Sequence, residues 1–414
     1  MKDAAAFQNI HRILALASQG EQLLLVVSAM GKTTNALEVI FHQAHQQQDF
    51  SLAFQSCKDY HFQILQELFP DPAQVIFTLI EEKFRELEDT LQHLLPDRYD
   101  QQYDQIISYG EILSSLILHH YLRSQGFANT WIDSRKYLRT DTTWREGKLD
   151  WTWTERLIQH DLPGLLQEQP LVTQGFLGGS AEGATTTLGR EGSDFSAAIF
   201  AYCLRAQSLT IWKDVPGVLN ADPKLFPDTV LYDQIAYQEA IEMSYYGASV
   251  IHPKTIQPLA NRGIPLYVKS FLHPLEPGTV IHNCLHERIA PAFILKQQQC
   301  LLSFHTKDFG FITENNLSTI FQALSEWRIK INLMQNSAIS FSICTDFHEL
   351  RIQQLVQSLS DEFVILYNQP LHLFTIKNYD QESILKLTEG REILLEQRTR
   401  NTFQFVCRPA GLPL

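Results

Sequence analysis

The sequence predicts a layered α/β protein followed by a smaller α+β portion, and three observations carry that prediction. Apolar strand-like runs alternate with helical text through about residue 279. This is the pattern of a mainly parallel sheet with helices on both faces. Beyond that point strands dominate and helices shorten, first as a βαββαβ unit and then as a second round that stops early. The length of 414 residues suits two to four domains at about 100–200 residues each.

The elements follow in order. Gln22–Ala29 is a continuous apolar run and reads as a buried parallel strand. Gly31 ends it, and a helix begins near Thr34. Residues 35 to 125 are mostly helical and rich in Gln, Glu and Leu, punctuated by Pro70, Pro72 and Pro96. A strand at Thr130–Asp133, a helix over Thr154–Gln167 and a strand at Leu171–Thr173 come next. A helix at Ser193–Arg205 leads to a strand at Leu209–Trp212. Helices at Tyr237–Tyr246 and Lys254–Asn261 precede a strand at Pro265–Lys269, and Pro274–Pro291 reads as a connector. In the last part, strands are expected at Leu301–His305, Lys330–Met334, Ile339–Cys344 and Phe363–Tyr367, with helices at Leu317–Trp327 and His348–Leu359. The second round has strands at Leu371–Lys377, Glu392–Arg398 and Thr402–Arg408 and one helix at Glu382–Leu387.

Composition narrows the function. Hydrophobic residues make up 44% and charged residues 19%, which excludes a disordered or collagen-like chain. A net charge of −13 argues against nucleic acid or an anionic membrane as main partner. Apolar runs such as Leu23–Ala29 fall short of the ~18 residues a membrane span needs. Met1–Leu14 carries Asp3, Asn9, His11 and Arg12, unlike a secretory signal. The six cysteines are scattered with no C-x-x-C pair, as in reduced thiols of a cytoplasmic protein. No H-E-x-x-H occurs, and His42 and His45 read as a solvated helix face. No metal ligands are assigned.

The densest chemical signal is GGSAEGATTTLGREGSD at 178–194, where five of the 19 glycines gather between a strand and a helix. Glycines let backbone N–H groups cradle an anion, and the helix N-terminus adds to the attraction. Ser193 or Asp194 is the expected N-cap. Arg190 offers a planar fork for a carboxylate. Asp194 can orient an ammonium or a neighbouring cation. The loop is neither G-x-x-x-x-G-K-[ST] nor G-x-G-x-x-G, which disfavours a P-loop or dinucleotide fold. Ser28–Asn35 ends the first strand, where parallel sheets place ligands, and its hydroxyls and Lys32 suit phosphates or a carboxylate. Tyr109-Gly110-Glu111 lies in helical text. Lys213 and Asp214 end another strand before a Pro216-Gly217 turn, and Lys224 follows in a second turn; such groups suit nucleotide phosphates.

Taken together these strings resemble aspartate kinases, an amino-acid kinase family with C-terminal ACT domains. The resemblance rests on VVSAMGKTTNAL at 26–37, GE at 110–111, TQGFLG at 173–178 and TTTLGREGSD at 185–194. It continues through WKDVPGV and ADP within 212–223 and EMSYYGASVIHP at 242–253, and spans about residues 1 to 408. It implies an amino-acid-kinase-like layered sheet over 1–285, an ACT-like (ferredoxin-like βαββαβ) unit over 286–370 and a second, incomplete one over 371–414. It also implies transfer of the ATP γ-phosphoryl group, with Mg²⁺, to the β-carboxylate of L-aspartate. The product, 4-phospho-L-aspartate, opens lysine, threonine and methionine synthesis. By motif match, Thr34, Glu111, Arg190 and Ser193 contact aspartate, with Asp194 and Ser28 at the reacting centre. Lys213, Asp214, Gly217, Lys224 and Ser249 serve the nucleotide. Asp308, Gln335, Asn336 and Ser337 take an amino-acid effector, lysine or threonine. ACT pairing implies a homodimer or higher homo-oligomer.

The chain also departs from the pattern. The family's opening strand and Lys-Phe-Gly-Gly turn have no counterpart, and Lys2 stands in the wrong context to replace that Lys. Ser249 stands where many relatives carry Lys, and Lys213 where many carry Thr. Reduced turnover is therefore expected, and the alternative reading is a non-catalytic amino-acid-sensing subunit.

Overall fold

The computed structural model describes residues 1–16, 20–248, 251–285, 289–308 and 310–409. In chain order it runs α1 (Ala4–Leu16), β1 (Leu24–Val27), α2 (Thr33–His45), α3 (Ser51–Leu68), α4 (Val75–Gln92), α5 (Tyr99–Ile107), α6 (Tyr109–Ser124) and β2 (Thr130–Ile132). A 3₁₀ turn at Ser134–Lys136 precedes α7 (Trp151–Glu168), β3 (Leu171–Gln174), β4 (Leu177–Gly179), β5 (Thr185–Thr187), α8 (Gly192–Leu204) and β6 (Leu209–Lys213). Then come β7 (Gln234–Ala236), α9 (Tyr237–Tyr246), α10 (Pro253–Arg262), β8 (Leu266–Ser270), β9 (Thr279–His282) and β10 (Ala292–Thr306). The chain closes with α11 (Glu314–Glu326), β11 (Ile331–Asn336), β12 (Phe341–Asp346), α12 (Glu349–Leu359), β13 (Phe363–Lys377), α13 (Gln381–Thr388), β14 (Ile393–Arg398) and β15 (Thr402–Cys407). Among the described residues no helix is long and apolar enough to cross a membrane.

Two compact units form. One joins Met1–Pro216 to Ile251–Asn283, and the other joins Gly217–Val250 to Cys284–Leu414. Chain order alone suggested divisions at 285 and 370; the units instead take Gly217–Val250 out of the first segment.

In the first unit, β3 is the centre of a parallel sheet of order β1-β3-β2, and all four of its residues are buried. The first strand is shorter than its apolar run suggested. Only Val27 of β1 is buried, because β3 is its one pairing partner among the described residues. The helical text of 35 to 125 resolves into α2–α6, which share one core. Its logic is visible in α4, where Ile76, Ile80, Phe84, Leu87 and Leu91 recur at helical spacing and are all buried. Helices α7 and α8 pack Ile158, Leu162, Ile199 and Phe200 with Ile132 and Leu171 of the sheet. Strand β6 pairs parallel with β8, and β8 antiparallel with β9. The stretch expected as a connector thus contributes a strand, β9.

The second unit is built on one antiparallel sheet of order β11-β12-β10-β13-β15-β14. The strands expected at 363–367 and 371–377 are a single 15-residue strand, β13, and the one expected at 301–305 is the far half of an equally long β10. The two long strands pair along their length, Thr306↔Phe363 at one end and Ala292↔Lys377 at the other, interrupted near Lys296–Leu301. That pairing explains how a half-unit can fold. In chain order the last βαββ stops after β15. In space the near half of β10 supplies its fourth strand, so β13 is paired on both sides.

The same core explains why Gly217–Val250 groups with this unit. Ala221 and Phe226 are buried with Phe374, Ile376, Phe403 and Phe405 under α13. Asn220 ties that segment to β10: its carbonyl accepts from Phe293 N (2.7 Å), and its side chain donates to the Pro291 carbonyl (2.9 Å). Buried Lys377 pairs with Glu242 of α9 at 2.8 Å and with Glu239 at 3.5 Å. Phe226→Ala should lower the unfolding free energy of this unit by about 3 kcal/mol. Chemical denaturation checks it, and an unchanged midpoint would show that Phe226 is not part of this core.

Candidate active site

The site is assembled where β1 and β3 end. Ser28, exposed, follows β1, and its carbonyl accepts from Ser114 Oγ of α6 at 2.7 Å. Ala29 N–H donates to Glu111 Oε1 at 3.2 Å. Gly110 allows this approach: a Cβ there would lie 3.0 Å from the Ala29 Cβ. Glu111 is 4% exposed, and its Oε2 has no hydrogen-bond partner. Burial pushes its carboxyl up to about 8, against the pull of the Ala29 N–H. Thr33 and Thr34 open α2. Thr33 is buried with its hydroxyl unpartnered, while Thr34 is half-buried.

Beyond β3 the chain turns at Gly175, whose N–H donates to the Val27 carbonyl at 2.8 Å. A Cβ on Gly175 would come within 2.7 Å of Ser193, so this glycine seats Ser193 against the strand ends. The glycine-rich stretch then differs from the anion cradle expected of it. Gly178 and Gly179 lie in β4, which pairs antiparallel with β5 as a hairpin. Their missing side chains make room for the preceding chain, since a Cβ on Gly179 would sit 2.3 Å from the Arg135 carbonyl. Gly192 plays a similar part against Phe176, at 2.5 Å.

The helix start also differs from the one expected. The N-cap of α8 is Glu191, not Ser193 or Asp194, and it caps through no side-chain bond. Glu191 adopts φ 55°, ψ 31°, a left-handed conformation uncommon outside glycine. Its carboxylate accepts from the His252 backbone N–H, burial pushes it upward, and its Oε2 is unpartnered. Starting the helix earlier leaves Asp194 in the first turn, where its Oδ2 accepts from Lys213 Nζ at 2.7 Å. Both groups are partly buried. Arg190 and Asp214 are exposed, and Ser193 is half-buried.

The first unit therefore brings together Ser28 with Glu111, Ser193 with the Gly175 turn, and Asp194 with Lys213. Gly217 and Lys224 belong to the second unit, where Gly217 is buried and Lys224 exposed. Ser249 lies outside the described residues. Asp308, also of the second unit, is exposed and accepts from Gly310 N–H at 3.0 Å. Gln335, Asn336 and Ser337 are exposed at the end of β11, and Ile312 N–H to the Ala338 carbonyl (3.0 Å) joins their turn to that of Asp308. Among the described residues no group of three His, Cys, Asp or Glu side chains could hold a metal ion. His42 bonds through Nδ1 to the Tyr99 hydroxyl, 2.9 Å.

Sequence reasoning missed Asp104. It sits on the inner stripe of α5 with Tyr103, Ile106 and Ile107, fully buried, and accepts from Thr187 and Arg145. Its signal was an aspartate on the apolar side of an amphipathic pattern.

The amino acid kinase family model matches residues 1–270. The chain belongs to the amino acid kinase family. Within it, the chain is 34% identical over 248 residues to lysine-sensitive aspartokinase 3 of Escherichia coli (strain K12), covering 59% of this chain and 54% of that one. It is 30% identical over 393 residues to the bifunctional aspartokinase/homoserine dehydrogenase of Buchnera aphidicola, covering 91% and 47%. The chain thus spans about half the length of these two curated relatives. The crystal structure of E. coli aspartokinase III with aspartate and ADP (R-state) matches at TM-score 0.81 and 26% identity, covering 98% of this chain and 93% of that one. The same enzyme with lysine and aspartate (T-state) matches at 0.79.

Glu111 gives this family member a measurable pH signature. Its folded carboxyl is raised from 4.5 to about 8, so between those values the folded state holds a proton that the unfolded chain releases. Its contribution to stability is present below about 4.5 and is lost as pH rises through about 8. Glu111→Gln should remove that part of the slope in urea unfolding across pH 5–8. An identical slope in the variant would contradict the assignment.

Proposed function

We propose that this chain is an aspartate kinase. The observation that carries the reading is the turn at 190–194, which presents Arg190 beside the Asp194–Lys213 pair in the same unit as the under-satisfied Glu111 carboxylate. Similarity to the aspartate- and ADP-bound enzyme supports it.

The chemistry follows from the groups. The β-carboxylate of aspartate is already ionised at pH 7, so its attack on the γ-phosphorus needs no strong base. One carboxylate oxygen forms a bond to phosphorus as the bond to the β-phosphate oxygen breaks and ADP leaves. The protein's task is to position two anions and to spread their charge. Arg190 takes the α-carboxylate bidentately. Glu111 takes the α-ammonium, and that cation draws its carboxyl back down and ionises it. Thr34 and Ser193 donate hydroxyls to the substrate. Lys213 and Asp214 serve the nucleotide. Asp194 orients Lys213, with Ser28 close to the reacting groups.

Mg²⁺ binds typically through one or two carboxylates and phosphate oxygens. Asp194 and the unpartnered Oε2 of Glu191 fit that requirement and would hold it. Bound there it supplies charge neutralisation at the phosphates.

The second unit supports regulation by lysine or threonine at Asp308 and Gln335–Ser337. Val364, Leu366 and Tyr367 are exposed along the free half of β13, a surface suited to pairing with a second copy. The six free cysteines fit the reducing cytoplasm.

Aspartyl-hydroxamate formation with ATP and Mg²⁺ tests the enzyme. Turnover should require aspartate, and Arg190→Ala should raise the aspartate KM at least ~10-fold while leaving the ATP KM within ~2-fold. Calorimetric binding of lysine or threonine with no binding of ATP or aspartate would favour an amino-acid-sensing subunit instead. Sedimentation velocity tests the pairing: the chain should sediment as a dimer or larger, and Leu366→Glu should shift it toward monomer. A monomer at all concentrations contradicts the proposed surface.

A further inference from the structure

We propose that Asp104 is a positioning residue: its buried carboxylate registers the Arg190 turn against the Glu111 turn and so sets aspartate affinity. The inference rests on the aspartate kinase reading. Asp104 is 0% exposed and lies on α5. Its Oδ1 accepts from Thr187 Oγ1 at 2.8 Å and from Arg145 N at 3.1 Å. Its Oδ2 accepts from Thr187 N and from Arg145 N, each at 3.0 Å.

These bonds reach both halves of the amino-acid site. On one side, α5 passes through Ser108 directly into α6, whose first turn holds Glu111. Ser108 N donates to the Asp104 carbonyl at 3.2 Å, and Ile112 N to the Ser108 carbonyl at 3.2 Å. On the other side, Thr187 ends β5 three residues before Arg190. The stretch between is held as well: Leu188 N donates to the Phe176 carbonyl (2.9 Å), and Gly147 N to the Thr187 carbonyl (2.8 Å). Gly189, at φ 74°, packs against Arg145 and Glu146. A carboxylate on one segment that accepts donors from two others fixes the spacing of all three, and no bond among these touches the nucleotide-side Lys213.

The anion is the form that can accept every donor. Burial raises the Asp104 carboxyl to about 6, against the Arg145 and Thr187 donors. The charged groups around it are Arg145, which stacks 4.2 Å over Tyr103 and pairs with Asp100 at 3.5 Å, then Glu38 of α2 bonded to the Tyr103 hydroxyl, and Glu146 beside Gly189. Aspartate affinity should therefore fall more steeply below about pH 6, as Asp104 takes a proton, than ionisation of Glu111 alone would make it.

Calorimetry of the full chain with L-aspartate, and separately with ATP, tests the inference. Asp104→Asn turns an amide N–H₂ toward donors and should weaken aspartate at least ~10-fold while ATP affinity stays within ~2-fold. It should also remove the Asp104 part of that fall, leaving below pH 6 the shallower slope that Glu111 alone produces. Thr187→Val removes one donor and is the milder variant; it should weaken aspartate ~3- to 10-fold, and Thr187→Ser should restore it. Equal loss of aspartate and ATP binding, or Val and Ser variants that behave alike, overturns the positioning role. A wild-type chain that binds no aspartate overturns the kinase reading and this inference with it, whereas a binding wild type with unaffected variants overturns this inference alone.

Discussion

The segments that carry Arg190 and Glu111 are tied together by a buried carboxylate that must be satisfied. Asp104 has no access to water, and an uncompensated buried charge costs several kcal/mol. The fold meets that demand with backbone and hydroxyl donors from Thr187 and Arg145. To deliver them, the β4–β5 hairpin and the 145–147 turn must close on α5. Once they do, the position of Arg190 follows from Thr187, and that of Glu111 from the α5–α6 junction.

The site groups are treated in the opposite way. Glu111 has one backbone donor and a free oxygen, and Glu191 has a free oxygen in a strained turn. Asp194 meets a single lysine. Asp104 has donors on both of its oxygens, while these site groups are left short of partners. On the aspartate kinase reading, that difference leaves bonding capacity for ligands that bring charge of their own.

Much of this was legible in the sequence. The alternation of strand and helix indicated the α/β layering, and helical text marked 35–125 as a whole, without its division into α2–α6, and α7 to within a few residues. The composition of 178–194 marked Arg190 and Asp194, the end of the first strand marked Ser28–Asn35, and Glu111 was given a role only by the resemblance. What the sequence hid depends on tertiary pairing. Phe363–Tyr367 and Leu371–Lys377 read as two strands because Pro370 lies between them, yet both halves pair with one long β10. Gly178 and Gly179 read as a cradle because glycine text alone does not separate an anion's approach from that of the Arg135 carbonyl. The turn at 220–224 read as serving nucleotide phosphates, while Ala221 within it and Phe226 just beyond it serve the second unit's core. Asp104 was silent because a lone acid in a helix looks solvated until its helix is placed.

The most direct test of the account is proton release on aspartate binding, measured by titration calorimetry of the full chain at pH 7 in two buffers of different ionisation enthalpy. On the aspartate kinase reading, burial keeps the Glu111 carboxyl protonated at pH 7 in the free site and the substrate ammonium ionises it. The account predicts release of about one proton per aspartate bound, abolished in Glu111→Gln. Aspartate binding with no proton released, or with release unchanged in that variant, would contradict it.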